Sequence, residues 1–183
     1  GDWDAAVEYY RRAVQQSPDR TDYKIALERA MINASHEHLN QAQISEARNE
    51  LENALREYRR ASEFDPPNRQ LAAKVGEIER RIREARFREP KTLATFDWEF
   101  NRSINRTQIE ELAAAEFIRR HDNLVLVGQS GVGKSFLVQA IGQSACVLGQ
   151  RVRYTTSADL LKDLTAPLAD QTLPRRVRYY ARF

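Results

Sequence analysis

The chain has 183 residues, room for one domain or two small ones. Charged residues make up 30% and hydrophobic ones 42%, which excludes a disordered chain, and no apolar run approaches the roughly 20 residues of a membrane span. The single cysteine, Cys146, excludes an internal disulfide framework and a cysteine-based zinc site. It lies in the apolar stretch Leu137–Leu148 and is expected to be a buried structural thiol. The expectation is a soluble, cytoplasmic protein. The net charge of +3 is unevenly spread: residues 1–86 carry 15 Lys/Arg against 16 Asp/Glu, and residues 87–183 carry 14 against 10. The basic excess belongs to the second half. It is compatible with nucleic acid nearby but too mild to demonstrate it.

The first half repeats itself. Ala54-Leu55-Arg56-Glu57-Tyr58-Arg59-Arg60-Ala61 echoes Ala6-Val7-Glu8-Tyr9-Tyr10-Arg11-Arg12-Ala13, and Asp65-Pro66 answers Ser17-Pro18. Each copy predicts an amphipathic helix stopped by a proline. Between them, Tyr23, Ile25, Ala26, Leu27, Ala30, Met31 and Leu39 recur at helical spacing over Thr21–Gln43. Another helix is predicted from Arg69 to Phe87, with Leu71, Val75, Ile78 and Ile82 on one stripe. The opening segment, Gly1 to Tyr10, resembles the second helix of a tetratricopeptide repeat. The echo is longer than that repeat's usual period, and two helices lengthened by about two turns each would absorb the excess. The first repeat lacks its leading helix, so the chain is expected to be a fragment. The resemblance implies a curved surface for a peptide or helix of a partner; a plain helical hairpin is the alternative. His36-Glu37-His38 is expected to be two solvated histidines rather than a metal site, because neighbours two apart on a helix point to different faces.

Pro90 marks the predicted boundary, giving a helical repeat region at 1–87 and a second domain at 88–183. Phe96, Trp98 and Phe100 alternate with Asp97 and Glu99, as in a short extended piece with one apolar face. Asn105 with Gln108 predicts a capped helix through Ile109, Leu112, Ala113, Phe117 and Ile118. After His121-Asp122-Asn123 comes a predicted strand, Leu124–Val127.

Gly128-Gln129-Ser130-Gly131-Val132-Gly133-Lys134-Ser135 follows, and it fits the P-loop pattern G-x-x-x-x-G-K-[ST] at every fixed position. The glycines let backbone N–H groups turn inward around phosphate oxygens. Lys134 is placed to reach the β- and γ-phosphates and the Ser135 hydroxyl to ligate Mg²⁺, making ATP and Mg²⁺ the expected cofactors. The predicted helix Ser135–Leu148 adds its N-terminal dipole to the site. Gly149 ends it. Val152–Thr155 is a second predicted strand, Ser157 is expected to cap a helix through Leu160, Leu161 and Leu164, and Leu173–Phe183 carries Arg175, Arg176, Arg178 and Arg182. Strands alternating with helices, with a P-loop at the first turn, predict an α/β domain with a parallel sheet.

From Lys91 to Phe183 the chain resembles the IstB-like, DnaC-related ATP-binding proteins of the AAA+ class. The residues that carry the resemblance are Lys91-Thr92-Leu93, Phe96-Asp97-Trp98, Ser103-Ile104-Asn105-Arg106, and Leu126-Val127 running into the P-loop. Gly149-Gln150-Arg151-Val152, Thr156-Ser157-Ala158-Asp159-Leu160-Leu161 and Tyr180-Ala181-Arg182 continue it. The resemblance implies a helper of DNA transposition that works with a transposase on target DNA. Its DnaC-like side implies helicase loading. It implies ATP phosphates and Mg²⁺ held by Gly128, Gly131, Gly133, Lys134 and Ser135. It also sets Phe96-Asp97 near the adenine, although a core-packing aromatic cluster accounts equally for Phe96, Trp98 and Phe100. The terminal arginines either face DNA or line a solvated helix face.

In that family an apolar strand ending in Asp-Glu, the Walker B motif, follows the position of Phe183, and sensor residues and an arginine finger come later. A chain without them is expected to bind nucleotide weakly and hydrolyse it negligibly. The family's sheet also places further strands between the two predicted here. The expected fold is therefore α+α/β: tetratricopeptide-like antiparallel helices, then the incomplete first half of a P-loop AAA+ parallel-sheet domain. Residues 1–86 more closely resemble repeats preceding some bacterial secretion-channel proteins, so the two halves are a natural fusion, an insertion of a mobile element, or an assembly artefact. Two functions follow: an ATP-binding helper of DNA transposition, or a helical interaction module carrying a truncated, inactive ATPase passenger. A different P-loop enzyme such as a kinase fits less of the ordered match.

Overall fold

The computed structural model describes residues 2–48, 50–165 and 172–183. Two compact units divide the chain, Gly1–Glu77 and Ile78–Phe183.

The first unit is built on helices α1 (Trp3–Gln16), α2 (Thr21–Ala47) and α3 (Leu51–Phe64) and the start of α4 (Arg69–Ala85). Asp2 opens α1, its carboxylate accepting the Ala5 N–H at 3.0 Å. The central element is α2. One stretch of it, with Ala30 and Ala34, packs against Val7 of α1 and Phe64 of α3. A later stretch, with Leu39 and Ala42, packs against Ala54, Tyr58 and Ala61 of α3 and Leu71 and Val75 of α4. The alanines matter because small side chains let helix backbones approach closely enough for Val7 and Tyr58 to be fully covered. Ser35 donates to the Ala61 carbonyl at 2.9 Å, and His38 pairs with Glu57. Residue numbers rise on α2 as they fall on α3, so those two helices run antiparallel.

Of the two histidines expected to be solvated, His36 is exposed, but His38 is not. Its ring is half-buried and stacked on Phe64, with Nδ1 2.6 Å from Glu57 Oε2 and Nε2 3.0 Å from Asp4 Oδ1. It links α1, α2 and α3. Burial opposes the imidazolium, but the hydrogen bonds to Glu57 and Asp4 outweigh it, and the pKa of His38 is raised. Both ring nitrogens face carboxylates, so only the protonated ring can donate to both. A raised pKa contributes stability that is fully present below the unfolded value of about 6.5 and is lost as pH rises through the folded value. Thermal melts at pH 5.5 and pH 8.5 are expected to show the wild-type protein losing stability across that interval. His38→Gln removes most of this difference; an equal pH dependence in the variant contradicts the linkage.

The second unit corrects the predicted sheet. Among the described residues there is no strand, and every regular element is a helix. A strand is defined by its partner, because its N–H and C=O groups must be taken up by a neighbouring ladder. Leu124–Val127 and Val152–Thr155 do not pair with each other. Tyr154 instead gives its N–H to the Ala85 carbonyl at 2.8 Å. The first segment keeps the side-chain alternation of a strand. Leu124 and Leu126 pack inward, whereas Val125 and Val127 are 77% and 90% exposed. Apolarity and β-branching are local properties; a parallel sheet is not.

What the second unit does have is a central helix, α7 (Lys134–Val147), most of whose sides are apolar and covered. The unit also contains the end of α4, a single 3₁₀ turn at Leu93–Thr95, α5 (Arg106–Ala113), the one-turn α6 (Glu116–Arg119), α8 (Ser157–Thr165) and α9 (Leu173–Tyr180); α5 and the 3₁₀ turn contact the central helix, and α8 and α9 contact each other. Leu137 and Ile141 of α7 meet Phe96 and Ile109 in the core. Asn105 caps α5 through the Gln108 N–H at 3.2 Å. The predicted helix does not continue to Ile118, because Ala115 turns left-handed at φ 61° and starts α6 afresh. Helix α8 is capped by Thr156, whose hydroxyl accepts the Asp159 N–H at 3.1 Å, one residue before the predicted Ser157. Cys146 is fully buried on α7, and burial pushes its thiol up to about 11 against the opposing pull of the Arg81 cation. No helix among the described residues is long and apolar enough to cross a membrane.

Candidate nucleotide-binding loop

Gly128–Gly133 forms an exposed to half-exposed loop that runs directly into α7. Gly131 and Gly133 have φ values of 81° and 94°, where a side chain would be strained. Gly133 is the N-cap residue of α7, and its carbonyl accepts the Leu137 N–H at 3.0 Å. The N–H groups of Lys134, Ser135 and Phe136 belong to the first turn, where an α-helix has no internal acceptors. They present donors and the positive end of the helix dipole toward the loop.

Lys134 folds back across the loop. Its Nζ donates to the Gly128 carbonyl at 2.8 Å and also to the Gln129 carbonyl. The ammonium group is therefore held by two carbonyls of its own loop. Ser135 is exposed on the first turn, as are Gln129, Ser130 and Gly131 around the loop, while Val132 is half-buried. The eight sequence-predicted residues are thus brought together by chain continuity and by the start of α7.

The aromatic segment packs as a cluster beneath the loop. Phe96 is buried, with ring centroids 4.8 Å from Trp98 and 5.2 Å from Phe136. Its ring lies under the loop: a Cβ added at Gly133 would sit 3.1 Å from Phe96 Cε2 and 3.2 Å from Cζ. The Asp97 carboxylate accepts the N–H groups of Glu99 and Phe100 at 3.0 and 3.2 Å, so it is engaged in its own turn. Phe100 is exposed. Of the terminal arginines, Arg176 bridges to Asp163 at 3.0 Å, and Arg175, Arg178 and Arg182 are exposed. The Tyr180 hydroxyl donates to Asp163 at 2.7 Å; that bond first, and the Arg176 contact second, hold the carboxyl below its ordinary range. Among the described residues no group of His, Cys, Asp and Glu is arranged to hold a metal ion.

Sequence reasoning missed Phe87, Gln139 and Gly142. A Cβ at Gly142 would meet Phe87 Cε1 at 2.9 Å, and Gln139 is buried on α7. The only sequence signal was a polar residue inside an apolar helix.

The model of the IstB-like ATP binding protein family matches residues 30–183, well over half of the chain. The chain belongs to the IstB-like ATP-binding protein family. Among similar curated proteins is the ATP-binding protein of insertion sequence IS21 from Pseudomonas aeruginosa. It is 36% identical over 107 residues, covering 57% of this chain and 40% of the relative. The insertion sequence IS232 ATP-binding protein of Bacillus thuringiensis is 30% identical over 56% of this chain and 41% of its own length. An insertion-sequence ATP-binding protein of Mycobacterium tuberculosis is 30% identical over 57% and 42%. This IstB-like chain thus spans about two-fifths of the length of the curated relatives it matches.

Proposed function

We propose that Gly128–Ser135 binds the phosphates of ATP, and that the protein acts in DNA transposition as a nucleotide-dependent helper of a transposase on target DNA. The observation that carries the reading is the glycine loop at the head of α7, with Lys134 across it and Ser135 on the first turn. The naming of relatives as insertion-sequence ATP-binding proteins supports the same reading.

In this account the N–H groups of the loop and of the first turn of α7 hold the phosphate oxygens. Lys134 exchanges its two carbonyl partners for β- and γ-phosphate oxygens, a stronger charge-assisted pairing. The Ser135 hydroxyl supplies one ligand to Mg²⁺, with the phosphates and water supplying the rest. Nucleotide binding falls to residues 88–183, and the tetratricopeptide-like helices of residues 1–87 offer a surface to a protein partner. The setting is the cytoplasm, where ATP, DNA and transposase meet.

Co-sedimentation of the protein with its transposase on double-stranded DNA tests the role. ATP with Mg²⁺ is expected to raise the protein retained on DNA by at least about threefold, the effect of a modest coupling free energy. Retention that is the same with and without nucleotide contradicts a nucleotide-dependent helper.

A further inference from the structure

Gln139 is 6% exposed, an amide buried on an otherwise apolar stretch of α7. Both ends of its side chain are used. Oε1 accepts the Arg88 N–H at 3.1 Å, and Nε2 donates to the Ser135 carbonyl at 3.1 Å. One partner can only donate and the other only accept, so the orientation of the amide is fixed by its neighbours. The Ser135 carbonyl already belongs to the first turn of α7 and takes this bond on its second lone pair.

The segment that reaches Gln139 is itself anchored. Helix α4 ends as Arg86 turns left-handed at φ 56°. The Ala85 carbonyl holds the Tyr154 N–H, and Phe87 lays its ring on Gly142, three residues beyond Gln139 on α7. Phe87 and the Arg88 backbone therefore grip one face of α7. The amide of Gln139 carries that grip to Ser135, an exposed residue of the first turn of α7.

We propose that Gln139 is a positioning residue of the nucleotide site. It fixes the first turn of α7, through the Ser135 carbonyl, against the Arg88 backbone, so that the Ser135 hydroxyl and the first-turn N–H groups meet the phosphates and Mg²⁺ in place. The proposal rests on the reading of Gly128–Ser135 as the nucleotide loop.

The test uses Gln139→Met, which keeps the length and loses both bonds, and Gln139→Glu, which can regain them. Mg-ATP affinity is measured at pH 8 and pH 5.5, with far-ultraviolet circular dichroism on each sample and with wild type and Lys134→Ala alongside. At pH 8 both Gln139 variants are expected to bind about three- to tenfold more weakly than wild type, the worth of about one hydrogen bond. At pH 5.5 the buried carboxyl of Gln139→Glu takes a proton. It then donates to the Ser135 carbonyl while accepting from Arg88, and affinity returns to within about twofold of wild type. Gln139→Met does not recover. A folded Gln139→Met that binds as wild type overturns the proposal alone, as does a Gln139→Glu whose affinity ignores pH. Wild type that binds no better than Lys134→Ala overturns the nucleotide reading, and the proposal with it.

Discussion

Gly133→Ala is expected to destabilise the second unit by about 2–5 kcal/mol and to weaken nucleotide binding at least about tenfold. Two independent costs meet at this residue. Its φ of 94° lies in the left-handed region, which costs an L side chain about 1–2 kcal/mol. The new methyl would also stand 3.1 Å from the Phe96 ring. That ring cannot easily yield, because it is buried between Trp98 and Phe136. Overpacking of this kind costs about 1–3 kcal/mol. Gly131→Ala separates the two contributions: its φ is 81°, but nothing lies within 4 Å of the added Cβ, so only the conformational cost remains. Gly76, in the interior of α4 with open space around it, supplies the control, and Gly76→Ala is expected to stabilise by about 0.5–1 kcal/mol. Chemical denaturation of the three variants reads the order. Equal losses for Gly131→Ala and Gly133→Ala would show that Phe96 does not buttress the loop.

Lys134→Ala separates binding from folding in the opposite way. The ammonium makes no buried contact; it bonds two carbonyls of an exposed loop, which water can satisfy in its absence. Stability is therefore expected to change by less than about 0.5 kcal/mol, as at ordinary surface sites. Affinity for ATP is a different matter. A hydrogen bond between charged groups contributes about 1.5–3 kcal/mol, so its loss weakens binding about ten- to more than a hundredfold. Lys134→Arg is not an equivalent replacement, since the planar guanidinium is too broad for a seat that fits a compact ammonium between two carbonyls.

The loop was legible in the sequence because its chemistry is local. Eight consecutive residues, a helix start and an apolar helix all announce themselves within one short window. The helices of the first unit were legible for a similar reason, through the echoed segments at Ala6–Ala13 and Ala54–Ala61 and the prolines that follow them. The sheet was not, since strand character at Leu124–Val127 depends on a partner that local pattern does not supply. His38 was misjudged because helix geometry tells which face a residue occupies but not which carboxylates another helix brings to it. Gln139 and Phe87 escaped for the same reason: their partners lie 51 and 55 residues away in sequence. Ala115 carries none of the usual marks of a left-handed residue, so the break between α5 and α6 left no trace.

Titration of a fluorescent ATP analogue in the presence of Mg²⁺, with unlabelled ATP as competitor, tests the nucleotide site most directly. Wild-type protein is expected to give saturable, competed binding, and Lys134→Ala, with an unchanged melting curve, to bind about ten- to a hundredfold more weakly. Binding of equal strength in the two proteins, or none in the wild type, would contradict the assignment of Gly128–Ser135 as the phosphate-binding loop.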